Sequence, residues 1–368
     1  MVSVMDRYRR RRERVQAAVR RLGLDGLVIA NASNVRYVSG FTGDSSWLMV
    51  GASGVPVLVT DGRFTEQARG ECAGCRIYER KRSLVDTCRE LVVISRWGKV
   101  GVEQEWVSHG AWVGLQCEGV VWEGVAGVVE GLRAVKDRDE VKGIRGAIAV
   151  AERGFRMVRG MVRPGVREID VANELECVMR LLGAEGGAFE TIVLFGERGM
   201  LPHGRPGERV LGANEMVLID WGARVAGFNS DLTRMLLPSK IGRKLERVYR
   251  VVLEAQRAAI EAVRPGMLCD ELDGVARAKI RKAGLGKFFR HGLGHGVGLE
   301  IHEGPRVAAG CDVRLRTGMV ITIEPGVYIP GVGGIRIEDM VIVTRKGGEV
   351  LTGRGAGMGK EMEEAKRL

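Results

Sequence analysis

The chain lacks several features that would have decided its class at once. No apolar run approaches membrane-spanning length, and the arginine-rich start, Met1 to Glu13, has neither the apolar stretch nor the cleavage site of a secretory signal. A cytoplasmic protein with no membrane partner is expected. The seven cysteines are odd in number and scattered, which excludes a disulfide framework. Cys72-Ala-Gly-Cys75 has no second pair and no histidine close by, so it lacks the ligands of a zinc site. No GxGxxG opens a helix: Gly292, Gly294, Gly296 and Gly298 sit among Leu293, Val297, Leu299 and Ile301, which alternate as in a strand, and nucleotide binding is set aside. Histidine is scarce, at five residues in 368.

What is present fits a two-domain enzyme. At 368 residues the chain exceeds what one core usually serves, and 45% hydrophobic with 28% charged residues is ordinary for a globular protein. The net charge of +11 is spread along the whole chain. Arg7 and Arg9 to Arg12 alternate with Val15, Ala18, Val19 and Leu22 at helical spacing, which predicts an amphipathic first helix with a solvated basic face. A diffuse positive bias marks no recognition surface, so no specific nucleic-acid partner is expected.

The character of the chain changes near Gly131 to Lys136, giving domains 1–133 and 134–368. Before that point short strand signals alternate with helical stretches; the strands are Gly26 to Ala30, Ser46 to Val50, Val57 to Thr60, Leu91 to Ile94 and Val100 to Val102. After it, Asp137 with Glu140 forms a capping box for a helix running toward Val162. An internal repeat follows. Val162-Arg-Pro-Gly165 leads into a helix ending at Gly183, and Val263-Arg-Pro-Gly266 leads at the same spacing into one ending at Gly284, each glycine suiting a helix C-terminus. Both helix pairs precede a strand hairpin with two acids, which implies two similar α/β halves facing one another.

Four of the five histidines fall in two short stretches, His203 in Leu201-Pro-His-Gly204, and His291, His295 and His302 in a glycine-rich segment. The carboxylates Asp220 and Asp231 lie in one hairpin-like segment, Glu324 and Glu338 in another. A two-residue turn at Val225-Ala226 sets Asp220 directly across from Asp231, and a turn about Gly331 sets Glu324 across from Glu338. Opposed residues on one face have Cβ atoms about 4.5–5.5 Å apart, close enough to share one ion or two. Carboxylates buried in such strands are costly without cations nearby. Oxygen-rich ligation with one imidazole suits Mn²⁺, Co²⁺ or Fe²⁺, with Zn²⁺ less favoured.

The segments Ile219-Asp220-Trp-Gly-Ala, Ser230-Asp231-Leu-Thr-Arg234, His291-Gly-Leu-Gly-His295-Gly-Val-Gly-Leu, Ile323-Glu324-Pro-Gly-Val-Tyr328 and Ile335-Arg336-Ile-Glu338-Asp resemble the metal motifs of the prolidase and aminopeptidase P branch of the creatinase and methionine aminopeptidase family. Asn34 to Gly43 and Thr60 to Arg63 resemble that family's creatinase-like N-terminal domain. The resemblance implies an α/β (α+β) fold: a creatinase-like domain over 1–133, then a pita-bread catalytic domain over 134–368 with two pseudo-symmetric halves. It implies two divalent ions, Mn²⁺ first, held by Asp220, Asp231, His295, Glu324 and Glu338, with Asp231 and Glu338 bridging them.

The same resemblance implies an Xaa-Pro aminopeptidase in which a metal-bridging hydroxide attacks the carbonyl before proline. Glu324 would carry the proton, His203 and His302 would hydrogen-bond the peptide and the tetrahedral intermediate, His291 would assist at the proline side, and Arg336 would orient a bridging carboxylate. The alternative within the class is an Xaa-Pro dipeptidase; outside it, a non-catalytic binding protein of the same fold, against which five intact ligands speak. Gly196, where the family often has Ser, bears on the substrate pocket alone. Proline-containing peptides are the expected partners, and a homodimer the expected assembly.

Overall fold

In the computed structural model, which describes residues 4 to 353, the arginine-rich start is the helix Val4–Arg21. Val15, Ala18 and Val19 face the core, as the spacing predicts, but the basic face is not wholly solvated. Arg11 and Arg12 are buried. Arg11 donates to the Tyr37 carbonyl (3.1 Å) with its guanidinium 4.0 Å from the Tyr37 ring centroid, so its methylenes and charge both find partners.

This helix belongs to a first unit that ends at Arg133. Its sheet has six strands in the order Arg76–Glu79, Val57–Thr60, Trp47–Gly51, Gly26–Ile29, Lys99–Glu103 and Val121–Val125. Two antiparallel pairings at its centre are flanked by parallel ones, and Val28, Met49, Val59, Val100 and Val102 pack its core. One expected strand is absent. Leu91 to Ile94 form the last turn of the helix Leu84–Ile94, capped by Ser83, whose hydroxyl accepts the Asp86 N–H (3.1 Å). Leu91 and Val92 are buried while Val93 and Ile94 are exposed, a split that follows the helical period and not the alternation of a strand.

The second unit begins at Ala134. Asp137 and Glu140 form the reciprocal capping box, and the helix Arg138–Val158 runs on through a 3₁₀ turn to Met161. The repeat is visible in the chain's geometry. Arg138–Val158 packs with Glu168–Leu181, Arg243–Ala262 packs with Cys269–Lys282, and the second helix of each pair is followed by a glycine at positive φ, Gly183 and Gly284. The first pair covers an antiparallel sheet of Ile192–Phe195, Val217–Trp221 and Leu232–Leu236. Trp221 fixes that contact: its indole stacks on Phe155 at 4.6 Å and donates to the Ala151 carbonyl (3.0 Å). The second pair covers a five-stranded sheet that includes Gly294–Gly296, Val320–Ile323 and Asp339–Thr344. Among the described residues no helix is long and apolar enough to cross a membrane.

The two hairpins differ in how far their register was legible. Gly326–Ile329 pairs with Gly333–Arg336 about Gly331, and Ile323 stands opposite Asp339, so Glu324 and Glu338 continue one register as expected. The first hairpin is shifted by two residues. Its turn is Ala226-Gly227, both at positive φ, because a turn at Val225-Ala226 would force a β-branched residue into that region. Asp220 therefore faces Thr233, and Asp231 lies on the diagonal. The strands also break at Gly222, where a Cβ would stand 1.9 Å from the Ser230 carbonyl oxygen. Similarly, the strand expected through Ile301 is only Gly294–Gly296; a bulge between His295 and Gly296 turns the chain away.

Candidate metal centre

The glycines around His295 exist because backbone passes close on both sides. A Cβ on Gly294 would lie 2.1 Å from the Thr322 carbonyl oxygen and one on Gly296 would lie 2.2 Å from that of Gly304. His295 is thus held between two strands. Its N–H reaches the Thr322 hydroxyl (3.0 Å), and its ring Nδ1 lies 3.1 Å from the Gly296 carbonyl. A carbonyl can only accept, so Nδ1 carries a proton and Nε2 is the nitrogen that faces the acids, 3.6 Å from Asp231 and 3.3 Å from Glu324.

Ligand atoms of Asp231, His295 and Glu338 all lie within 4.8 Å of one another. Asp220 and Glu324 complete the wall of the same cavity, about 500 Å³ in volume, which also contains His203, His291, His302 and Arg336. The structure thereby brings together every residue that the sequence nominated for the site. His302 packs edge-on against His295 at 4.4 Å, and Glu303 beside it is ion-paired with Lys136 (2.7 Å), both nearly inaccessible. His203 is exposed at the rim.

Electrostatics bear on what the cluster can hold. Burial, then the charges of Glu338, Asp220 and Glu324, pushes the Asp231 carboxyl well above its usual range. Burial and the charges of Glu324 and Asp220 do the same to Glu338, and burial raises Asp220 despite its Arg336 partner. Burial also acts on Glu324, but the hydrogen bond and charge of His295 outweigh it and the carboxyl ends low. His295 is correspondingly raised: burial opposes its charge, and Glu324 more than compensates. One oxygen of Asp220, Oδ1, is buried with no hydrogen-bond partner. Crowded acids, an orphaned carboxylate oxygen and an imidazole nitrogen aimed among them, free to ligate once it gives up its proton, fit divalent cations, which would satisfy all three at once.

Arg336 is wired differently from expectation. It donates to Asp220 Oδ2 (2.6 Å), not to a bridging carboxylate, and also to the Thr233 hydroxyl (3.1 Å), the Tyr328 hydroxyl (2.8 Å) and the Pro202 carbonyl (3.1 Å). Glu338 is held instead by the Thr233 hydroxyl (2.8 Å). Arg336 thus ties one acid to the loop that carries His203. Sequence reading missed Thr233 and Tyr328. Thr233 stands two residues after Asp231, a same-face position that strand periodicity could have flagged; Tyr328, whose hydroxyl also meets His291 Nε2 (3.0 Å), left no such signal. Arg205 and Arg306 on the cavity wall were likewise missed.

Residues 142–345 match the model of metallopeptidase family M24, and residues 11–135 match the creatinase/prolidase N-terminal domain. The chain is 37% identical to the uncharacterized peptidase YqhT of Bacillus subtilis strain 168, over 92% of this chain and 97% of that protein. An Xaa-Pro dipeptidase structure from Bacillus anthracis has a TM-score of 0.91 at 36% identity, covering 95% of this chain and 98% of that one. An X-Pro aminopeptidase structure from Thermotoga maritima MSB8 has a TM-score of 0.82 at 36% identity, covering 91% and 97%.

Proposed function

Because the chain belongs to metallopeptidase family M24, with a creatinase/prolidase N-terminal domain ahead of the catalytic one, we propose that it hydrolyses the Xaa-Pro bond at the N-terminus of peptides with two divalent ions. The observation that carries this reading is the cavity in which Asp231, His295 and Glu338 converge, with Asp220 and Glu324 on its wall. These five residues would hold the ions, with Asp231 and Glu338 shared between them. When bound, divalent ions acidify water and polarise a carbonyl.

The chain's own residues supply the rest. Glu324, held ionised beside His295, accepts the proton that the attacking water loses and returns it to the departing proline nitrogen. His203 and His302 donate to the peptide oxygen as negative charge builds there, and His291, bonded to Tyr328, lines the proline side. Arg336 keeps Asp220 and the His203 loop in place. We assign residues 1–133 to the creatinase-like domain and 134–368 to the catalytic domain.

Dipeptide cleavage is the second reading, and one observation favours it: Arg306 lines the cavity and offers a cation to a substrate carboxylate, beside Arg205, which is paired with Glu190 (3.1 Å). Rates on an Xaa-Pro dipeptide and an Xaa-Pro tripeptide decide between them. Mn²⁺ is the ion we favour because four of five donors are carboxylates. Seven free cysteines fit a cytoplasmic location, and a homodimer is the assembly to be tested by light scattering.

A further inference from the structure

The helix Cys269–Lys282 carries a charge pair with no part in the site described so far. Asp273, 1% exposed, and Arg277, one turn later, are joined by two hydrogen bonds of 2.6 and 2.8 Å. Both also reach off the helix to the segment that leads into Gly294–Gly296. Asp273 accepts the Leu293 N–H (3.0 Å), while Arg277 donates to the carbonyls of Phe289 (3.1 Å) and His291 (2.9 Å).

Residues 289 to 293 belong to no strand, so two side chains hold backbone groups that a sheet neighbour would otherwise hold. The guanidinium also lies 4.2 Å from the Phe289 ring centroid, and Phe289 meets the His291 ring edge-on at 5.2 Å. From the other side, Leu293 accepts the Glu324 N–H (2.8 Å). The backbone on both flanks of His291 is therefore fixed by the helix pair, and the pair itself does not line the cavity.

We propose that Asp273 and Arg277 are positioning residues for the peptidase reaction, setting the His291 imidazole against the substrate. This rests on the reading that His291 contacts the peptide. A planar fork that serves two carbonyls and a carboxylate together has no substitute in an ammonium group, so Arg277→Lys is informative as well as Arg277→Ala.

The test is a double-mutant cycle on Xaa-Pro cleavage in the metal-loaded protein, combined with NMR of the histidine rings. Arg277→Ala and Arg277→Lys should each lower kcat/KM by about tenfold or more in the otherwise unmodified protein, up to the about 10²-fold that a misplacement of a reacting group by about 1 Å can cost. In the His291→Ala background the same changes should cost less than twofold. The His291 ring resonances should move in Arg277→Lys while those of His109, in the N-terminal unit, stay. Equal losses in both backgrounds overturn the proposal and leave a purely structural pair. An unmodified protein inactive on Xaa-Pro peptides defeats the functional reading instead; the proposal is then refuted by unchanged His291 resonances in Arg277→Lys.

Discussion

Replacing Glu338 with Gln removes one charge and almost no volume at the point where the acids crowd most. The Thr233 hydroxyl that donates to Glu338 can donate equally to the amide oxygen, so the local hydrogen bond survives. In the metal-free protein two unit negative charges at the 4.8 Å limit of the cluster repel by about 3.5 kcal/mol at an effective dielectric of 20. Proton uptake relieves part of this, as the raised Asp231 and Glu338 carboxyls indicate. The sign follows from linkage. A carboxyl whose folded pKa lies above its unfolded one costs nothing below the unfolded range, and the cost grows as pH rises toward the folded value.

Metal-free protein should therefore lose stability as pH rises above the ordinary carboxylate range of about 4, and Glu338→Gln should lose less. At pH 7.5 the metal-free variant should melt above the unmodified protein by as much as about 10 °C, given about 2–4 °C per kcal/mol for a unit of this size. Metal reverses the order: with two ions, each at a hundredfold excess over Kd and each contributing about 2.7 kcal/mol, the unmodified protein gains about 5.4 kcal/mol, more than the repulsion of about 3.5 kcal/mol, and the variant gains much less. Scanning calorimetry with EDTA and then with Mn²⁺, at pH 5.5 and 7.5, reads all four states. A metal-free variant that melts below the unmodified protein, or one that Mn²⁺ stabilises just as well, refutes the reasoning.

Other substitutions separate holding a metal from helping the reaction. His295→Ala should lower metal content by atomic absorption, whereas His203→Ala and His302→Ala should keep the metals and lose about 10²–10³ in kcat; equal metal loss in all three would show the roles misassigned. Arg336→Met leaves the buried Asp220 carboxylate uncompensated and frees the Pro202 carbonyl, so about 3–5 kcal/mol of stability should go in urea titration along with most turnover. A loss below 1 kcal/mol would mean that solvent or metal already serves Asp220. Gly294→Ala puts a methyl against the Thr322 carbonyl and should destabilise the second unit and its metal binding together; normal melting would contradict the close approach.

The clustering of the candidate site was legible because ligand chemistry admits few residue types. Scarce histidines gathered beside four acids, Asp220 within a strand and Asp231, Glu324 and Glu338 next to strand ends, pointed to one cluster, and Pro330-Gly331 marked the turn that aligns Glu324 with Glu338. The Asp220 hairpin was misread by two residues because Val225, Ala226 and Gly227 give more than one candidate turn, and only positive φ at both central positions decides. Leu91 to Ile94 misled for a related reason: four apolar residues in a row look alike on a strand or on the last turn of a helix until their burial is known. The partner of Arg336 was beyond reach. Asp220 lies 116 positions away, and no local pattern encodes which of several acids a guanidinium meets after folding. The clamp of Asp273 and Arg277 on backbone carbonyls was hidden likewise, since main-chain acceptors leave no trace in residue identity.

Removal and return of metal is the most direct measurement. Protein stripped with a chelator should be folded but inactive on Xaa-Pro dipeptide and tripeptide alike, and added Mn²⁺ or Co²⁺ should restore cleavage as occupancy approaches two ions per chain. Full cleavage by metal-free protein, or restored occupancy of two ions without cleavage of either substrate, would contradict a two-metal Xaa-Pro peptidase.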